Sequence, residues 1–202
     1  HWTFDGSKLT TTTATDSSTN ANHGTLSGGP TPTIGKTGQA LSFDGTDDFV
    51  NAGTATLTTG ATTIAYWAKY NGSGYSYIMD LNVIHSTGAF FVFNGDTSGI
   101  AVRGAGITPA VTGLGKGTSW THVVFTYNGG GVSTPGNYVL YVDGVARALT
   151  SSDGANGGDT TSNRISGEYG TPSFFNGSID DVRVYNRALS ATEVLNLYNM
   201  GK

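Results

Sequence analysis

An aspartate near the C-terminus has a position that restricts its chemistry. Residues 178–185 read SIDDVRVY, and strand alternation places Asp180 on one face with Val182 and Val184. An ionised carboxylate among valines loses several kcal/mol of hydration unless hydrogen bonds or a cation replace the water. We therefore predict that Asp180 either accepts backbone N–H bonds in a dry turn or binds a cation.

A second oxygen-rich segment lies near the N-terminus, where Asp16 is followed by Asn20 and Asn22. Aspartate and asparagine side chains commonly bond to the backbone two residues further on, so an Asx turn accounts for this composition without a metal. Binding of a second metal by this loop stays an open alternative.

The residues needed for catalysis are scarce. Hydrolysis of a glycosidic bond uses two carboxylates that flank it, and the chain has only two glutamates, of which Glu193 falls at a helix cap and Glu168 stands alone. His122 is expected to pack within a strand and His23 to be structural. No G-x-S-x-G sequence or zinc-like histidine spacing occurs, so the sequence predicts a protein that is not an enzyme.

Side chains suited to sugar binding lie close to several predicted loops. Sugars are recognised by aromatic rings together with amides, carboxylates and guanidinium groups, which come from loops at a sheet rim or from a concave sheet face. The candidates are Tyr75, His85, Asn94, Asp96 and Arg103, with Tyr70 and Tyr77 beside them. Each tyrosine could instead pack its ring in the sheet and keep only its hydroxyl in water.

Composition indicates an ordered, weakly charged all-β protein. The 202 residues include 31 glycines, 12% charged and 11% aromatic residues, and we expect residues 1–202 to form one domain. A net charge of -4 with scattered lysines and arginines argues against nucleic-acid or anionic-membrane partners. No apolar run is long enough to span a bilayer. Any signal peptide would have been removed or would lie outside this sequence, and the composition fits an extracellular or cell-surface protein.

Short segments with period-two alternation recur at intervals of about a dozen residues, as in a sandwich or jelly roll. Residues 62–70 have apolar side chains on both faces and predict a central strand. Residues 38–53 are interpreted as a hairpin, Asp143-Gly144 as a hairpin turn, and Asn176-Gly177 as a turn before a strand that begins at Ser178. Residues 7–37 are expected to form a long ordered loop.

One helix is predicted, at the C-terminus. Ser190 and Glu193 have the spacing of a capping box, and Leu189 with Val194 has that of a hydrophobic staple. The helix should begin at Ala191 and stop near Gly201. It is too short to be stable alone, so it must pack on a sheet.

Six ordered blocks resemble the bacterial laminin G-like domains of the concanavalin A-like lectin and glucanase superfamily. They are HWTFD at residues 1–5, the loop at 16–24, GQALSFDG at 38–45, WTHV at 120–123, LYVDG at 140–144 and GSIDDVRVYNRALS at 177–190. The resemblance implies a jelly-roll sandwich of two curved antiparallel sheets. The Glu-x-Asp-x-x-Glu strand of the superfamily's glucanases is missing, as are the motifs of its alginate lyases.

The same resemblance implies a structural calcium ion. Members of the superfamily often hold Ca²⁺ between the first strand, the hairpin near Asp44-Gly45 and the aspartate that Asp180 matches. It implies Asp180 and the carbonyl of Gly45 as ligands, with Asp5 as a further candidate. Carboxylates and backbone carbonyls are the oxygen ligands that Ca²⁺ prefers.

These observations favour a non-catalytic extracellular binding module, in a larger multidomain protein, that recognises a glycan or an extracellular protein and is stabilised by Ca²⁺. Two alternatives remain open. One is a structural or adhesive domain of a surface stalk, phage fibre or capsid decoration without a sugar site. The other is a polysaccharide-active enzyme with a rearranged site, whose turnover would depend on Glu168.

Overall fold

The computed structural model describes residues 1–55, 57, 60–71, 76–84, 88–95, 99–103, 108–111, 119–130, 134–147, 150–152, 162–167 and 173–202. Two antiparallel sheets and one C-terminal helix make up its regular structure, apart from two short 3₁₀ turns. The predicted concanavalin A-like jelly-roll sandwich is therefore confirmed. Within these residues, no helix is both long and apolar enough to cross a membrane.

The two sheets contain nine and seven strands. The nine-stranded sheet has the spatial order β1 (Thr13–Ala14), β2 (Gly24–Ser27), β5 (Phe49–Asn51), β15 (Arg164–Ile165), β7 (Ser76–Ile84), β8 (Gly88–Gly95), β9 (Gly99–Arg103), β10 (Thr108–Val111) and β14 (Thr150–Ser152). The seven-stranded sheet has the order β13 (Val145–Arg147), β12 (Tyr138–Val142), β11 (Thr121–Tyr127), β6 (Thr62–Tyr70), β16 (Asn176–Tyr185), β4 (Gln39–Asp44) and β3 (Thr31–Ile34).

The main hydrophobic core is built from both sheets. Val50, Met79 and Ile165 contribute from the nine-stranded sheet, and Tyr66 and Phe125 from the seven-stranded sheet. As predicted, β6 is central, with three strands of the seven-stranded sheet on each side of it. Its alternate residues enter two different clusters, so both of its faces are covered.

The helix α1 (Ala191–Met200) covers part of the outer face of the seven-stranded sheet. The Ser190 hydroxyl accepts the Glu193 N–H, and the Glu193 carboxylate accepts the Ser190 N–H, so the predicted capping box is present. Leu189 and Val194 are buried against Ala65 of β6 in a second apolar cluster. The hydrophobic staple therefore fixes the helix to the sheet.

Three local predictions are wrong. Residues 7–37 contain the short strands β1, β2 and β3 rather than only loop. The backbones of β1 and β2 pair within the nine-stranded sheet, and that of β3 pairs within the seven-stranded sheet. Residues 38–53 do not form a hairpin, since β4 and β5 belong to opposite sheets. Asn176-Gly177 lies inside β16, opposite Asp44 and Phe43. A Cβ at Gly177 would lie 2.7 Å from the Phe175 ring, so the glycine permits close packing rather than a turn. By contrast, Asp143 and Gly144 both have positive φ and join paired strands, as the hairpin turn requires.

Candidate functional site

A β-bulge in β16 decides which side chains its two faces carry. Asp180 pairs with Trp67 but Arg183 pairs with Ala65, so Asp181 and Val182 together oppose one residue of β6. Asp181 takes a positive φ of 50° at this point. The prediction that Asp180 shares a face with Val182 and Val184 is therefore wrong, because the extra residue reverses the alternation and both valines pack with the core.

Asp180 is nevertheless buried, with only 1% of its surface exposed. Its Oδ2 accepts the N–H groups of Lys36 at 2.9 Å and Thr37 at 3.0 Å, in the turn between β3 and β4. Among the described residues, its Oδ1 accepts no hydrogen bond although it is fully buried. The predicted backbone N–H bonds are therefore present at one oxygen, and cation binding at the other oxygen stays a prediction.

Two glycines allow the β3–β4 turn to approach the carboxylates so closely. A Cβ at Gly35 would lie 2.7 Å from Asp180 Oδ2, and one at Gly38 would collide with Asp5 Oδ1. Asp5 Oδ1 itself accepts the Gln39 N–H at 2.7 Å. Gly38 also has a φ of +61°, which side chains rarely adopt. The turn therefore holds Asp5 and Asp180 side by side.

The acidic environment of Asp180 suits a divalent cation. The pKa of its carboxyl is raised to about 7. Burial is the main cause, the charges of Asp181 and Asp5 add to it, and the N–H bonds from Thr37 and Lys36 act in the opposite direction. A cavity of about 150 Å³ adjoins the group and is lined by Thr3, Asp5, Thr37, Met200 and Gly201 among others. An orphaned buried carboxylate oxygen beside a second carboxylate fits the oxygen-ligand chemistry of Ca²⁺.

Gly45, the other predicted ligand, is not brought to Asp180. It follows β4 and contacts Asn176, four residues before Asp180 on the paired strand, which corresponds to roughly 13 Å at the usual rise of a strand. Gly45 instead lies in the turn where the carboxylates of Asp44, Asp47 and Asp48 come within 4.8 Å of one another. In that turn Asp48 accepts the Asp44 N–H and Asp44 accepts the Thr46 N–H.

The Asp16 loop is organised by hydrogen bonds, as its composition predicts. The Asp16 carboxylate accepts the His1 amino group, the N–H and hydroxyl of Ser18, and the Asn22 N–H, at 2.7–2.9 Å. Burial alone would raise its pKa, but these bonds outweigh burial and lower the pKa to about 2. His23 is structural here, because its Nδ1 accepts the Asp16 N–H.

The structure describes only some of the predicted sugar-binding residues. Tyr75, His85 and Asp96 lie outside the described residues, as does Glu168. Asn94 lies in β8 opposite Ser76 and Ile100, and Arg103 lies in β9 opposite Phe91. Tyr70 and Tyr77 are each only 7% exposed and belong to the interior, so neither offers a ring to a ligand.

A row of hydrogen-bonding side chains crosses the outer face of the nine-stranded sheet, and sequence reasoning missed it. Asn51, Arg164 and Asp80 are directly opposite one another on β5, β15 and β7, while their neighbours Val50, Ile165 and Met79 face the core. The register continues from Asp80 to Phe91 and then to Arg103. The alternation of Val50 with Asn51 indicates an outward-facing amide on β5. The row itself could not be predicted, because β5, β15 and β7 are distant in sequence.

Aromatic rings border this row. The Arg164 guanidinium lies over the Phe49 ring, with its Cζ 4.4 Å from the ring centroid. Phe49 in turn stacks with Phe174 at a centroid distance of 6.2 Å. An amide, a guanidinium and aromatic rings on one sheet face suit carbohydrate recognition, while the Asp80 carboxylate is 0% exposed and lies beneath that face.

His122 behaves as the packed strand residue predicted. It is 3% exposed, and its ring packs against those of Trp67 at 4.8 Å and Tyr198 at 6.0 Å, which also stack on each other at 5.7 Å. Burial lowers its pKa to about 4. Glu193 is committed to the helix cap and pairs with Arg187 at 2.7 Å.

The fold and its polar sheet face define a lectin-like jelly roll, and comparison with known families agrees. The family model Laminin_G_3, described as the Concanavalin A-like lectin/glucanases superfamily, matches residues 44–195. The chain belongs to this family. No curated protein sequence was found to match it.

Solved structures with the same fold include binding domains and parts of enzymes. Domain 4 of AbnA, an extracellular arabinanase from Geobacillus stearothermophilus solved with arabinotriose, has a TM-score of 0.69 at 19% identity, with 98% of this chain and 96% of that chain covered. The botulinum neurotoxin serotype G binding domain has a TM-score of 0.68 at 14% identity, covering 98% and 50%. A Trypanosoma rangeli sialidase has a TM-score of 0.67 at 17% identity, covering 98% and 31%. The chain thus spans about half or less of the toxin and sialidase chains.

Proposed function

We propose that the protein is a non-catalytic, extracellular carbohydrate-binding module of a larger protein, with the sugar lying on the outer face of the nine-stranded sheet. The observation that carries this proposal is the row Asn51–Arg164–Asp80 bordered by Phe49 and Phe174. Asn51 and Arg164 are partly exposed and offer an amide and a guanidinium beside the two rings, whereas Asp80 is 0% exposed and lies beneath them. Arg103 lies at the next positions of the same register and would extend the site.

Two further observations support a binding role. The family is lectin-like, and a neighbour that is covered almost end to end was solved in complex with arabinotriose. In addition, three of the described carboxylates have structural tasks: Asp16 organises a loop, Glu193 caps a helix and Asp143 accepts the His122 N–H. Tyr75, His85, Asn94 and Asp96 remain proposed members of the binding surface.

We propose in addition that Ca²⁺ binds at Asp180 and Asp5 and has a structural role. The buried Asp180 Oδ1 supports this placement, because a cation would supply the partner that this oxygen lacks among the described residues. Bound Ca²⁺ would neutralise the carboxylates and join the N-terminal segment to β16. The Gly45 carbonyl belongs to a different turn, so we do not place it in this set.

Replacing Arg164 with Met tests the carbohydrate proposal. The side chain keeps its apolar stem but loses the charged donor, and loss of one such hydrogen bond weakens binding by roughly 10- to 100-fold. Arg147→Met is a matched control, because Arg147 is exposed on β13 of the other sheet. Affinity electrophoresis with soluble arabinan, xylan, β-glucan and mannan in calcium measures the effect.

Retardation by one polysaccharide that Arg164→Met abolishes and Arg147→Met preserves is the expected result. If no polysaccharide retards the wild-type protein, the carbohydrate proposal fails and a structural or adhesive domain is favoured. Hydrolysis of any of these polysaccharides would instead support the enzyme alternative, and Glu168→Ala would then test it.

A further inference from the structure

A second cavity, of about 380 Å³, lies away from the sheet face described above. One wall is the Asp16–Asn22 loop, with the side chains of Asn20 and Asn22, and the other is the end of β16 at Arg183 and Tyr185. Leu57 supplies apolar surface between the walls, and Trp2, which is only 2% exposed, lies beneath it. The volume falls in the range of small-molecule sites, which are mostly pre-formed.

The loop wall is held rigidly and presents unused amides. Asp16 accepts four hydrogen bonds from within the loop and from His1, and the Trp2 indole N–H donates to the Asn22 carbonyl at 2.9 Å. Among the described residues, no hydrogen bond engages the side-chain amides of Asn20 or Asn22. Each amide offers both a donor and an acceptor at no cost in protein hydrogen bonds.

The strand wall is equally pre-organised. The Arg183 Nε lies 3.0 and 3.1 Å from the two Asp181 oxygens, and its Nη2 lies 3.0 Å from Asp181 Oδ2. A guanidinium fixed in this way keeps its remaining N–H groups in one orientation, which lowers the entropy lost when a ligand binds.

These groups select a neutral, hydroxyl-rich ligand. Amides and a guanidinium bond to hydroxyls, and the partly exposed Leu57 and Tyr185 side chains provide surface for the C–H face of a sugar ring. Neither an anionic nor a cationic sugar is favoured, because Asp16 is paired with the His1 amino group and Arg183 with Asp181. We propose that this cavity is a second saccharide site, specific for a short neutral oligosaccharide. The proposal shares with the proposed function only the chemical class of the ligand.

Nuclear magnetic resonance of the ¹⁵N-labelled chain can separate the two sites, because side-chain amides and arginine Nε–H groups give their own signals. The probes are arabinotriose, cellotriose and, as an anionic comparison, sialyllactose. We expect a neutral trisaccharide to shift the signals of Asn20, Asn22 and Arg183. The double variant Asn20→Ala/Asn22→Ala should weaken this binding about tenfold or more, since two hydrogen bonds are lost.

Asn199→Ala is the matched control, since Asn199 is exposed on α1 and is not among the residues that line this cavity. It should leave the affinity unchanged. Shifts only at Asn51 and Arg164 would overturn the second site and leave the proposed function standing. Shifts only at the loop would support the second site and count against the sheet-face site. Shifts with sialyllactose alone would overturn the neutral specificity, and no shift with any probe would overturn both proposals.

Discussion

At the scale of single residues, the burial of the Asp180 carboxylate has an electrostatic cost. Its carboxyl is buried, one oxygen has no hydrogen-bond partner there, and its pKa is raised to about 7 by burial and by neighbouring carboxylates. An ionised group in this position destabilises the fold unless a cation balances it. Calcium binding would remove that cost.

Calcium should therefore raise the melting temperature. An ion bound only by the native state adds about 2.7 kcal/mol at a hundredfold excess over Kd, and Asp180→Asn should abolish the gain because the amide lacks the charge. Differential scanning fluorimetry in EDTA and in calcium measures it. Asp47→Asn is the control, because Asp47 belongs to the acidic turn beside Gly45. If Asp47→Asn removes the calcium effect and Asp180→Asn does not, the ion has been placed in the wrong turn.

His122 should make stability depend on pH. Burial lowers its pKa from 6.5 to about 4, so the folded state holds the neutral ring. The free energy of unfolding is unaffected by this group above pH 6.5. It falls by roughly 3 kcal/mol as the pH is lowered from 6.5 towards 4, because the unfolded chain takes up a proton that the folded state does not bind. His122→Phe keeps an aromatic ring against Trp67 and Tyr198 but cannot take up a proton. Urea unfolding of both proteins at pH 7 and pH 4 gives the difference, and an equal loss of stability in the two proteins would contradict the assignment.

At the scale of elements, the β3–β4 turn and the bulge in β16 together create the acidic site. The turn places two backbone N–H groups on Asp180, and its glycines let Asp5 and Asp180 approach the backbone. The bulge turns Val182 into the core while leaving Asp180 on the opposite face. Neither element alone would hold the two carboxylates together.

Gly38→Ala should damage this site beyond its effect on the backbone. Placing a side chain at a positive φ costs about 1–2 kcal/mol, and the new Cβ would also displace Asp5. We expect a lower melting temperature together with a smaller calcium effect. Gly53→Ala provides the control, since Gly53 has a φ of +82° but no atom within 4 Å of the added Cβ. Similar calcium effects in the two variants would mean that Asp5 is not a ligand.

The C-terminal helix was the element that the sequence predicted best. Its cap, staple and first residue are local features, because a capping box joins groups three residues apart. The bulge was missed for the opposite reason. It depends on how β16 pairs with β6, more than a hundred residues earlier, and nothing in SIDDVRVY distinguishes a bulged strand from a regular one.

At the scale of the whole molecule, the two sheets share one core. Buried side chains from both sheets form a single cluster, which includes Val50 and Met79 on one side and Leu140 and Ile179 on the other. Sheets that bury the same apolar surface should not unfold separately. We therefore propose, as the composition predicts, that residues 1–202 fold as one domain.

Scanning calorimetry should then give one transition with equal calorimetric and van't Hoff enthalpies. Leu140→Ala removes a fully buried side chain of the seven-stranded sheet and should cost about 2–5 kcal/mol. It should lower the temperature of the whole transition without splitting it. The matched variant Met79→Ala, in the nine-stranded sheet, should act in the same way. Two separable transitions would contradict a single domain.

Family blocks and strand periodicity in the sequence were sufficient to determine the jelly roll, the central strand and the capped helix. These features follow from local patterns, because every second residue of a strand lies on the same face and its polarity indicates whether that face is buried. The sequence also singled out Asp180 as a buried carboxylate and the Asp16 loop as a hydrogen-bonded turn, and both are confirmed.

Only the tertiary structure decided which residues meet. In the structure, Gly45 lies far from Asp180, and Tyr70 and Tyr77 are buried in the core. Asn51, Arg164 and Asp80 lie opposite one another on adjacent strands. The last three residues come from strands that are far apart in sequence. Register and sheet order arise from long-range pairing, in which a shift of one residue exchanges the two faces of a strand. A local pattern carries no record of that choice.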